Sequence, residues 1–474
     1  MLVLFIFLTN MNALSSCFVM RKIIVEKNRG GIELKSLRKS MTVAATATLC
    51  LSGLLASTSG AFAASTSGKP TSGPVTLTIM SWNVAEATLQ KDATLFHKIH
   101  PNVTFKFVNE ASPTFAYTKL NAELAAGSGL PDIVSIESSH AQSFLGKFPN
   151  SFLNMTQADQ PLKKDFAPSK WSALTGTNGQ IYGIPWDIGP AMMFYRRDLF
   201  KQAGINPNAI KTWDQYIAAG QKLVKHFNGK IKMTAVNYDD DGVFKMMTNE
   251  QGAFYFNNKG QITVSSPAAL KAVAMEQKMV KAGIGLQVPS ANGWNDTIAA
   301  FTNNQIASVA MGVWYVGTIE TSAPKQNGKW GVFPLPAFTP SGSHAANLGG
   351  SNLMISAGTQ HPKTAMEFAK FAMTNTAALN ASMSYGIFPS YIPYFSSSVF
   401  KQGLPFFAGQ NVFKMAADEA KLIKPENHTS DFAASTTYVD NAIQSVLNNQ
   451  MSVSAAMKQA ASQIAHESGR TIVN

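Results

Sequence analysis

Residues 75–136 read VTLTIMSWNVAEATLQKDATLFHKIHPNVTFKFVNEASPTFAYTKLNAELAAGSGLPDIVSI. Runs rich in β-branched residues predict three strands in this stretch, and two intervening segments have the apolar spacing of helices. Pro101 stops the first helix and a Gly-Ser-Gly sequence ends the second. The predicted order is a strand at 75–81, a helix at 86–99, a strand at 103–109, a helix at 115–126 and a strand at 132–136. This βαβαβ order predicts an α/β lobe with a mostly parallel sheet flanked by helices.

Helices and strands continue to alternate over the rest of the chain, with no internal repeat. Thr212 and Gln215 have the spacing of a capping box, which predicts a helix start. Ser452 is expected to cap the last helix, which runs to His466. Strands are predicted at 191–196, 306–311 and 330–333, and further helices at 267–282, 294–303, 361–374 and 441–449. The pattern favours one α/β architecture built twice.

The N-terminal segment has the order of a secretory signal peptide. Basic residues at 35–39 precede an apolar run at 41–55 and a small-x-small cleavage site at 61–63. We therefore expect residues 1–63 to be a signal peptide with an upstream leader. Residues 64–74 are small and polar and predict a flexible tether. Export by this route places the mature protein in the periplasm or at the outer face of the cytoplasmic membrane.

Two features of this segment allow alternatives. An apolar stretch at 1–20 precedes the signal peptide, and we interpret it as an over-long start with Met20 as the true one, the alternative being a genuine anchor. Cys50 suggests a lipoprotein, but Leu49 is too large for the position before a lipidated cysteine. We therefore expect no lipid anchor.

Composition excludes several classes of protein. The chain has 474 residues and a net charge of +12, but seven of its 39 basic and two of its 27 acidic residues lie in 1–63, which leaves +7. No basic stripe remains to bind nucleic acid. Both cysteines, Cys17 and Cys50, precede the predicted cleavage site, so disulfides and cysteine-ligated metals are not expected in the mature chain.

Common catalytic motifs are absent from the sequence. It has no GxSxG elbow, no HExxH helix and no phosphate-binding GxxxxGK[ST] loop. Residues 237–242 begin like a calcium loop, but Thr248 stands where the pattern needs Glu. A glycosidase would need a pair of carboxylates, whose separation a sequence does not give. The candidates for such a pair are Glu137, Asp187, Asp239, Asp240 and Asp241.

Four of the seven tryptophans lie beside polar residues at predicted element ends. An indole ring offers a flat apolar surface for the C–H face of a sugar, while neighbouring polar groups bond its hydroxyls. The four are Trp82, Trp186, Trp294 and Trp314. Trp171, Trp213 and Trp330 are expected to be structural. The pattern favours a carbohydrate site without cofactor or metal.

Several longer motifs resemble one protein family. They are AGSGLPDIV at 126–134, GQIYGIP at 179–185, FYRRDLFKQAG at 194–204, TWD at 212–214, KWGVFPLP at 329–336, NLGGSN at 347–352 and AMEFAKF at 365–371. In this order they resemble the extracytoplasmic carbohydrate-binding proteins of ABC importers, similar to those for maltose, arabinose or lactose. The block PWDIGP at 185–190 is similar to members for arabinose- or galactose-containing oligosaccharides. The chain departs from the family in having Arg196-Arg197 where Asn-Lys is frequent, and we expect both arginines at the surface.

The resemblance implies two α/β lobes joined by hinge crossovers, with the ligand in the cleft between them. The first lobe would comprise 75–186 and 350–385, and the second 187–349 and 386–474. The protein would act as a monomer without catalysis, close around its sugar, and deliver it to the membrane permease, whose ATPase takes part only indirectly. By the same resemblance, the implied ligand contacts are Trp82, Glu137, Trp186, Asp187, Asp239, Trp294, Trp314, Tyr315, Gly350, Ser351 and Asn352.

Two rival functions remain open at this stage. The protein could bind another solute, such as a phosphorylated polyol or a polyamine. A phosphate would need converging cations or a helix N-terminus, whereas the tryptophans favour a neutral ligand. The second rival is a secreted glycosidase, which would turn its sugar over.

Overall fold

The computed structural model describes residues 73–110, 113–238, 240–288 and 293–473, and three earlier strands as backbone. Residues 1–70 form a unit separate from residues 71–474. Its strands β1 (Val3–Phe5), β2 (Lys22–Asn28) and β3 (Gly31–Leu37) pair antiparallel. The predicted apolar run, cleavage site, Cys50 and most of the tether lie outside the described residues, so these predictions stay predictions.

A five-stranded sheet is built mainly from the opening βαβαβ segment. Its order is β5-β4-β6-β13-β7. The ranges are β4 (Val75–Trp82), β5 (Val103–Glu110), β6 (Ile133–Glu137), β7 (Ile184–Pro185) and β13 (Ser351–Ile355). β4 runs parallel to both β5 and β6, as the right-handed helical crossovers require, whereas β13 enters from a distant part of the chain and pairs antiparallel with β6 and β7.

Helices pack around this sheet and close its core. They are α1 (Asn83–Ile99), α2 (Pro113–Ala126), α3 (Ser138–Lys147), α4 (Thr156–Asp159), α5 (Trp171–Leu174), α12 (Pro362–Thr374) and α13 (Thr376–Ser384). The buried apolar cluster beneath them extends from Val75 to Trp186 and resumes at Leu353. It includes the alternating inward residues of β4, Leu77 and Ile79, which are fully buried.

A second group of strands forms the other sheet. The ranges are β8 (Ala191–Arg196), β9 (Thr234–Asn237), β10 (Gly285–Val288), β11 (Ser308–Gly312) and β12 (Trp330–Pro334). β8 lies between β11 and β12 with antiparallel pairing, and β9 runs parallel to β10. A parallel bridge between Lys232 and Ile306 joins the two sets of strands. The first sheet is therefore mixed. In the second lobe β8 pairs antiparallel with both of its neighbours, so the expectation of a mostly parallel sheet in each lobe was wrong there, whereas the predicted two-lobed α/β fold is confirmed.

The helices of the second lobe cover both faces of its sheet. They are α6 (Arg197–Gln202), α7 (Trp213–His226), α8 (Gly242–Glu250), α9 (Pro267–Lys281), α10 (Gly293–Thr302), α11 (Tyr315–Ser322), α14 (Val412–Ala420), α15 (Phe432–Leu447) and α16 (Val453–Ser468). The predicted capping box at Thr212 is present, and Ser452 caps α16 as expected. The predicted start of α15 at 441 was wrong, because its first turns bury Phe432 and Val439. In the described part of the chain no helix is both long and apolar enough to cross a bilayer.

Three segments of backbone lie side by side where the lobes meet. The Trp186 N–H donates to Ser351 O at 3.2 Å, and the Ser390 N–H donates to Trp186 O at 2.8 Å. Two residues further on, the Ile188 N–H donates to Phe388 O at 3.0 Å. This three-strand junction is where the chain passes between the two cores. The predicted boundaries at 186, 350 and 386 stay a prediction about which residues move together.

Gly350 illustrates how tightly this junction is built. Its φ is +107°, a conformation that L side chains rarely adopt. A Cβ at this position would lie 2.6 Å from Asp187 O and 3.1 Å from Lys170 Nζ. Glycine is therefore required on both conformational and steric grounds.

Gly350→Ala is expected to destabilise the protein more than Gly283→Ala. Both glycines have positive φ, but Gly283 has open space where a Cβ would point. We expect Gly283→Ala to cost about 1–2 kcal/mol and Gly350→Ala to cost about 1–3 kcal/mol more through its clash with backbone. Urea unfolding of the two variants measures the difference, and equal losses would show that the junction can relax around a methyl group.

Candidate ligand-binding cleft

A cavity of about 420 Å³ lies between the two lobes and extends into the second. The first lobe contributes Glu137, Ser138 and Ser139, at the carboxyl end of β6 and the start of α3. The junction contributes the loop from Asn347 to Gly350. The volume falls within the range of small-molecule sites.

Three aromatic side chains cluster at this cavity. Trp294 is 46% exposed and stacks on Trp314, with ring centroids 5.8 Å apart and an interplanar angle of 29°. Tyr315 meets both rings edge-on, at 5.3 Å from Trp294 and 5.8 Å from Trp314. Trp294 and Trp314 line the cavity, whereas Tyr315 is fully buried behind them. The two indole rings present a flat apolar surface to the cavity, and Tyr315 packs against both of them.

Local backbone geometry fixes the position of Trp314. It lies two residues beyond the end of β11, and its indole N–H donates to Leu348 O at 2.8 Å. A Cβ on Gly312 would lie 2.4 Å from Trp314 Nε1, and one on Gly189 would lie 3.0 Å from the same atom. The absence of side chains at both glycines therefore makes room for the indole against the junction.

Glu137 is held at the end of β6 by Tyr117. The tyrosine hydroxyl donates to Glu137 Oε2 at 3.1 Å and accepts the Glu137 N–H at 2.9 Å. Burial raises the pKa of Glu137, and the hydrogen bond from Tyr117 partly opposes this. Trp82 meets the Tyr117 ring edge-on at 5.7 Å and is buried. It therefore supports the Tyr117–Glu137 pair and is not among the residues that line the cavity.

Of the predicted junction residues, Trp186, Asp187 and Asn352 are buried in the crossover itself and Ser351 is half-buried. Trp186 is 2% exposed and belongs to the first lobe's core. Asp187 Oδ1 accepts the Ser351 N–H at 2.6 Å, and Asn352 donates to Ile136 O at 3.2 Å. None of these four lines the cavity, whereas the neighbouring Gly350 does.

Asp241, in the segment that resembles a calcium loop, has another role in this structure. Asp239 lies outside the described residues. Asp241 accepts the Tyr255 hydroxyl at 2.7 Å and pairs with Lys245 at 2.8 Å. Within the described ranges, no three acidic, histidine or cysteine side chains are grouped as a metal site.

No sequence pattern predicted several of the residues that line the cavity. Glu276, Glu426 and His428 line the cavity, although no motif marks them. They come from the middle of a helix and from an irregular loop, so only the fold brings them to the cleft. Trp213, expected to be structural, also lines the cavity while its indole N–H donates to Glu250 Oε1 at 2.9 Å.

The expectation for Arg196 was wrong. Its side chain is buried and makes two hydrogen bonds to Asp198, at 2.8 and 2.7 Å, and a third to Asn304. Arg197 is exposed as expected. The paired carboxylate allows a charge to be buried at the end of β8.

Burial controls the charges around the cavity. It raises the pKa of Glu426 to about 7 and lowers the pKa of His428 to about 3, so this histidine is neutral. Burial also lowers the pKa of Lys170, at the junction, to about 8, although Asp187 favours its charged form. Lys245 is the one lysine or arginine among the lining residues, and Asp241 already pairs with it. The described lining thus has no free cation to bind an anionic ligand.

A two-lobed fold with a cleft of this kind defines a solute-binding protein. The model of the family described as bacterial extracellular solute-binding protein matches residues 81–379. The chain therefore belongs to this family, which confirms the resemblance seen in the sequence motifs.

Individual relatives extend the match over most of the chain. A lactose-binding protein of Rhizobium radiobacter is 34% identical over 389 residues, which cover 81% of this chain and 87% of the relative. An arabinooligosaccharide-binding protein of Bacillus subtilis (strain 168) is 28% identical, covering 73% and 82%. Both relatives are named as binding proteins and not as enzymes.

Solved structures share the fold. The crystal structure of an extracellular solute-binding protein of family 1 is 25% identical, with a TM-score of 0.71, and covers 83% of this chain and 100% of that one. A binding protein from Bifidobacterium animalis subsp. lactis, in complex with β-1,6-galactobiose, is 23% identical with a TM-score of 0.68, covering 85% and 100%.

Substitution of two tryptophans should distinguish the cleft from the core. Trp330 is fully buried and donates to Gln326 Oε1 at 2.8 Å, so Trp330→Ala is expected to cost about 3–5 kcal/mol. Trp294→Ala removes a half-exposed ring and should cost about 1–2 kcal/mol. Denaturant unfolding measures both, and a loss at Trp294 as large as that at Trp330 would make Trp294 a core residue.

Proposed function

We propose that this protein is the extracytoplasmic carbohydrate-binding component of an ABC importer. The observation that carries the proposal is the Trp294–Trp314 stack, which presents an aromatic surface to a cavity bordered by Glu137 from the other lobe. A sugar ring packs its C–H face on such a surface, and its hydroxyls bond the surrounding carboxyl and amide groups. The names of the relatives, which bind lactose and arabinooligosaccharides, support a sugar.

The direct contacts we propose are Trp294, Trp314, Glu137 and Gly350. Six other predicted contacts would hold these four in place from behind, so their effect on binding would be indirect: the buried Trp82, Trp186, Asp187, Tyr315 and Asn352, and the half-buried Ser351. A contact from Asp239 remains a prediction.

Ligand capture would proceed by hinge closure. Glu137 and the tryptophans lie on opposite lobes, so a ligand touches both sets only when the cleft is closed. The crossovers near 186, 350 and 386 would absorb the motion, and the membrane permease would recognise the closed form. We propose a periplasmic or outer-face location and a monomeric state on the same basis.

Charge argues against a phosphorylated polyol. A phosphate would need converging cations or a helix N-terminus, and the lining lysine is already paired with Asp241. A polyamine would need several charged carboxylates, and burial raises the pKa of Glu137, Glu276 and Glu426. A neutral ligand fits these charges best.

We also propose that the protein does not hydrolyse its sugar. Asp187, one member of the candidate pair, is occupied by the Ser351 N–H and does not line the cavity. Incubation with the binding sugar should release no product. Turnover that disappears in Glu137→Gln or Asp187→Asn would instead establish the glycosidase.

A thermal-shift screen tests the ligand class. The purified protein is expected to melt at higher temperature with lactose, arabinotriose or β-1,6-galactobiose, because a ligand that binds only the folded state stabilises it by mass action. Phosphorylated polyols and polyamines should give no shift. A shift with one of these charged solutes alone would overturn the proposal.

Trp314→Ala should then weaken binding of the active sugar by about tenfold or more, since a buried aromatic anchor often contributes over 1.4 kcal/mol. Leu422→Ala is the control, because Leu422 is exposed and does not line the cavity. Isothermal titration calorimetry measures both affinities. An unchanged affinity in Trp314→Ala would place the ligand elsewhere.

A further inference from the structure

The cavity continues past the aromatic stack into the interior of the second lobe. One wall of this inner part is the sheet, through Met193 of β8, Thr234 of β9 and Ala310 of β11. The opposite wall is formed by helices, through Met246 of α8 and Glu276 of α9. We call this part of the cavity the inner pocket. It lies between a sheet and its covering helices, where a protein normally has only packed core.

A carboxyl group without a partner lines the inner pocket. Glu276 is 3% exposed, and its Oε1 atom has no hydrogen-bond partner among the described residues. Its helical neighbours Ala272, Val273 and Met279 are apolar and buried. A carboxyl buried without a partner costs free energy, so its presence needs an explanation.

A structural role does not explain Glu276. Other buried acids of this lobe have defined partners: Glu250 accepts the Trp213 indole N–H at 2.9 Å, and Asp241 pairs with Lys245 at 2.8 Å. Glu276 makes no such contact in the described ranges and occupies a position on α9 that a leucine or methionine would fill. A ligand group is the missing partner that the cavity can supply.

The charges around the inner pocket restrict which ligand fits. Burial raises the pKa of Glu276, and Asp240, Asp241 and Asp440 raise it further. Lys245, the only lysine or arginine among the described residues that line the cavity, is paired with Asp241. A second carboxylate or a phosphate brought here would meet acidic groups without a free cation.

We propose that the inner pocket is a subsite for one neutral sugar unit of the ligand, and that Glu276 selects it by hydrogen bonding its hydroxyls. A uronic acid or a phosphorylated unit is excluded from this subsite by the surrounding carboxyl groups. Met193, Met246 and Met279 supply an adaptable apolar wall for the ring. This inference rests on the proposed carbohydrate-binding function and adds to it the residue that determines specificity.

Calorimetry with Glu276→Met tests the subsite. The probes are lactose, arabinotriose and β-1,6-galactobiose as neutral glycans, and digalacturonate as the acidic one. Wild type should bind at least one neutral glycan and leave digalacturonate unbound. Glu276→Met should weaken the neutral glycan about tenfold or more, because the thioether cannot replace the hydrogen bonds of the carboxyl group. Glu419→Met is the control: burial also raises the pKa of the Glu419 carboxyl, but this residue lies on α14 outside the cavity.

The unliganded protein gives a second readout that does not depend on knowing the sugar. The folded-state pKa of Glu276 is raised, so the folded protein binds a proton that the unfolded chain releases as the pH rises above about 4.5. The wild type therefore loses stability from this group between pH 5 and pH 8, and Glu276→Gln does not. The melting temperature of the variant should equal that of wild type at pH 4.5 and exceed it at pH 8.

The outcomes separate the two proposals. If wild type binds a neutral glycan and Glu276→Met binds it equally well, the subsite is wrong and the carbohydrate function stands. Tight binding of digalacturonate would also overturn the subsite. If no neutral glycan binds wild type, the carbohydrate function fails and the subsite fails with it. A variant less stable than wild type at every pH would show that Glu276 has a structural partner and would overturn the subsite independently.

Discussion

The buried polar contacts at the lobe junction are the constraint on which the rest of the structure depends. Lys170 is 2% exposed, and its ammonium group donates to Ser138 Oγ at 2.6 Å and to Ser351 O at 3.1 Å. Asp187 favours its charged form and in turn accepts the Ser351 N–H. A buried ion is tolerated only when its bonds are complete, so these partners hold the crossing segments at Asp187 and Ser351 against the start of α3. The Ser390 N–H joins the third segment to Trp186 O. The β13 strand, the Gly350 turn and the entrance of the cleft follow from that arrangement.

The site is built outward from this junction. The Trp314 indole N–H donates to Leu348 O, two residues before Gly350, and Trp294 stacks on the Trp314 ring. Asn347 connects the same loop to the second lobe: its side-chain amide donates to Glu426 Oε2 at 3.2 Å, and its N–H donates to Asn249 Oδ1 at 3.0 Å. The aromatic platform and the polar lining therefore both bond to the same short loop at 347–350. A change in the junction would reach both, which is the behaviour expected of a hinge beside a binding cleft.

Sequence patterns predicted elements well where local physics dominates. The βαβαβ opening, the Thr212 capping box and the Ser452 cap were all predicted, because each depends on residues within one or two turns of the chain. Long-range effects caused the failures. Arg196 looked like a surface charge, but in the interior Asp198 pairs with it and Asn304 accepts a further hydrogen bond from it. The start of α15 was missed because packing against the second lobe's core stabilises those turns.

Apolar periodicity and helix caps are local signals, and they were enough to predict the α/β class. The ordered motifs were enough to predict the family and, with it, the two-lobed fold. The sequence also indicated aromatic residues at element ends. The sequence did not show which of these aromatic side chains reach the cavity. In the folded protein Trp294 and Trp314 line it, whereas Trp82 and Trp186 are buried behind it. Only the tertiary structure revealed Glu276, Glu426 and His428 as lining residues. Whether a side chain is buried, and which group it bonds, depends on packing between distant segments, and no local sequence pattern encodes that packing.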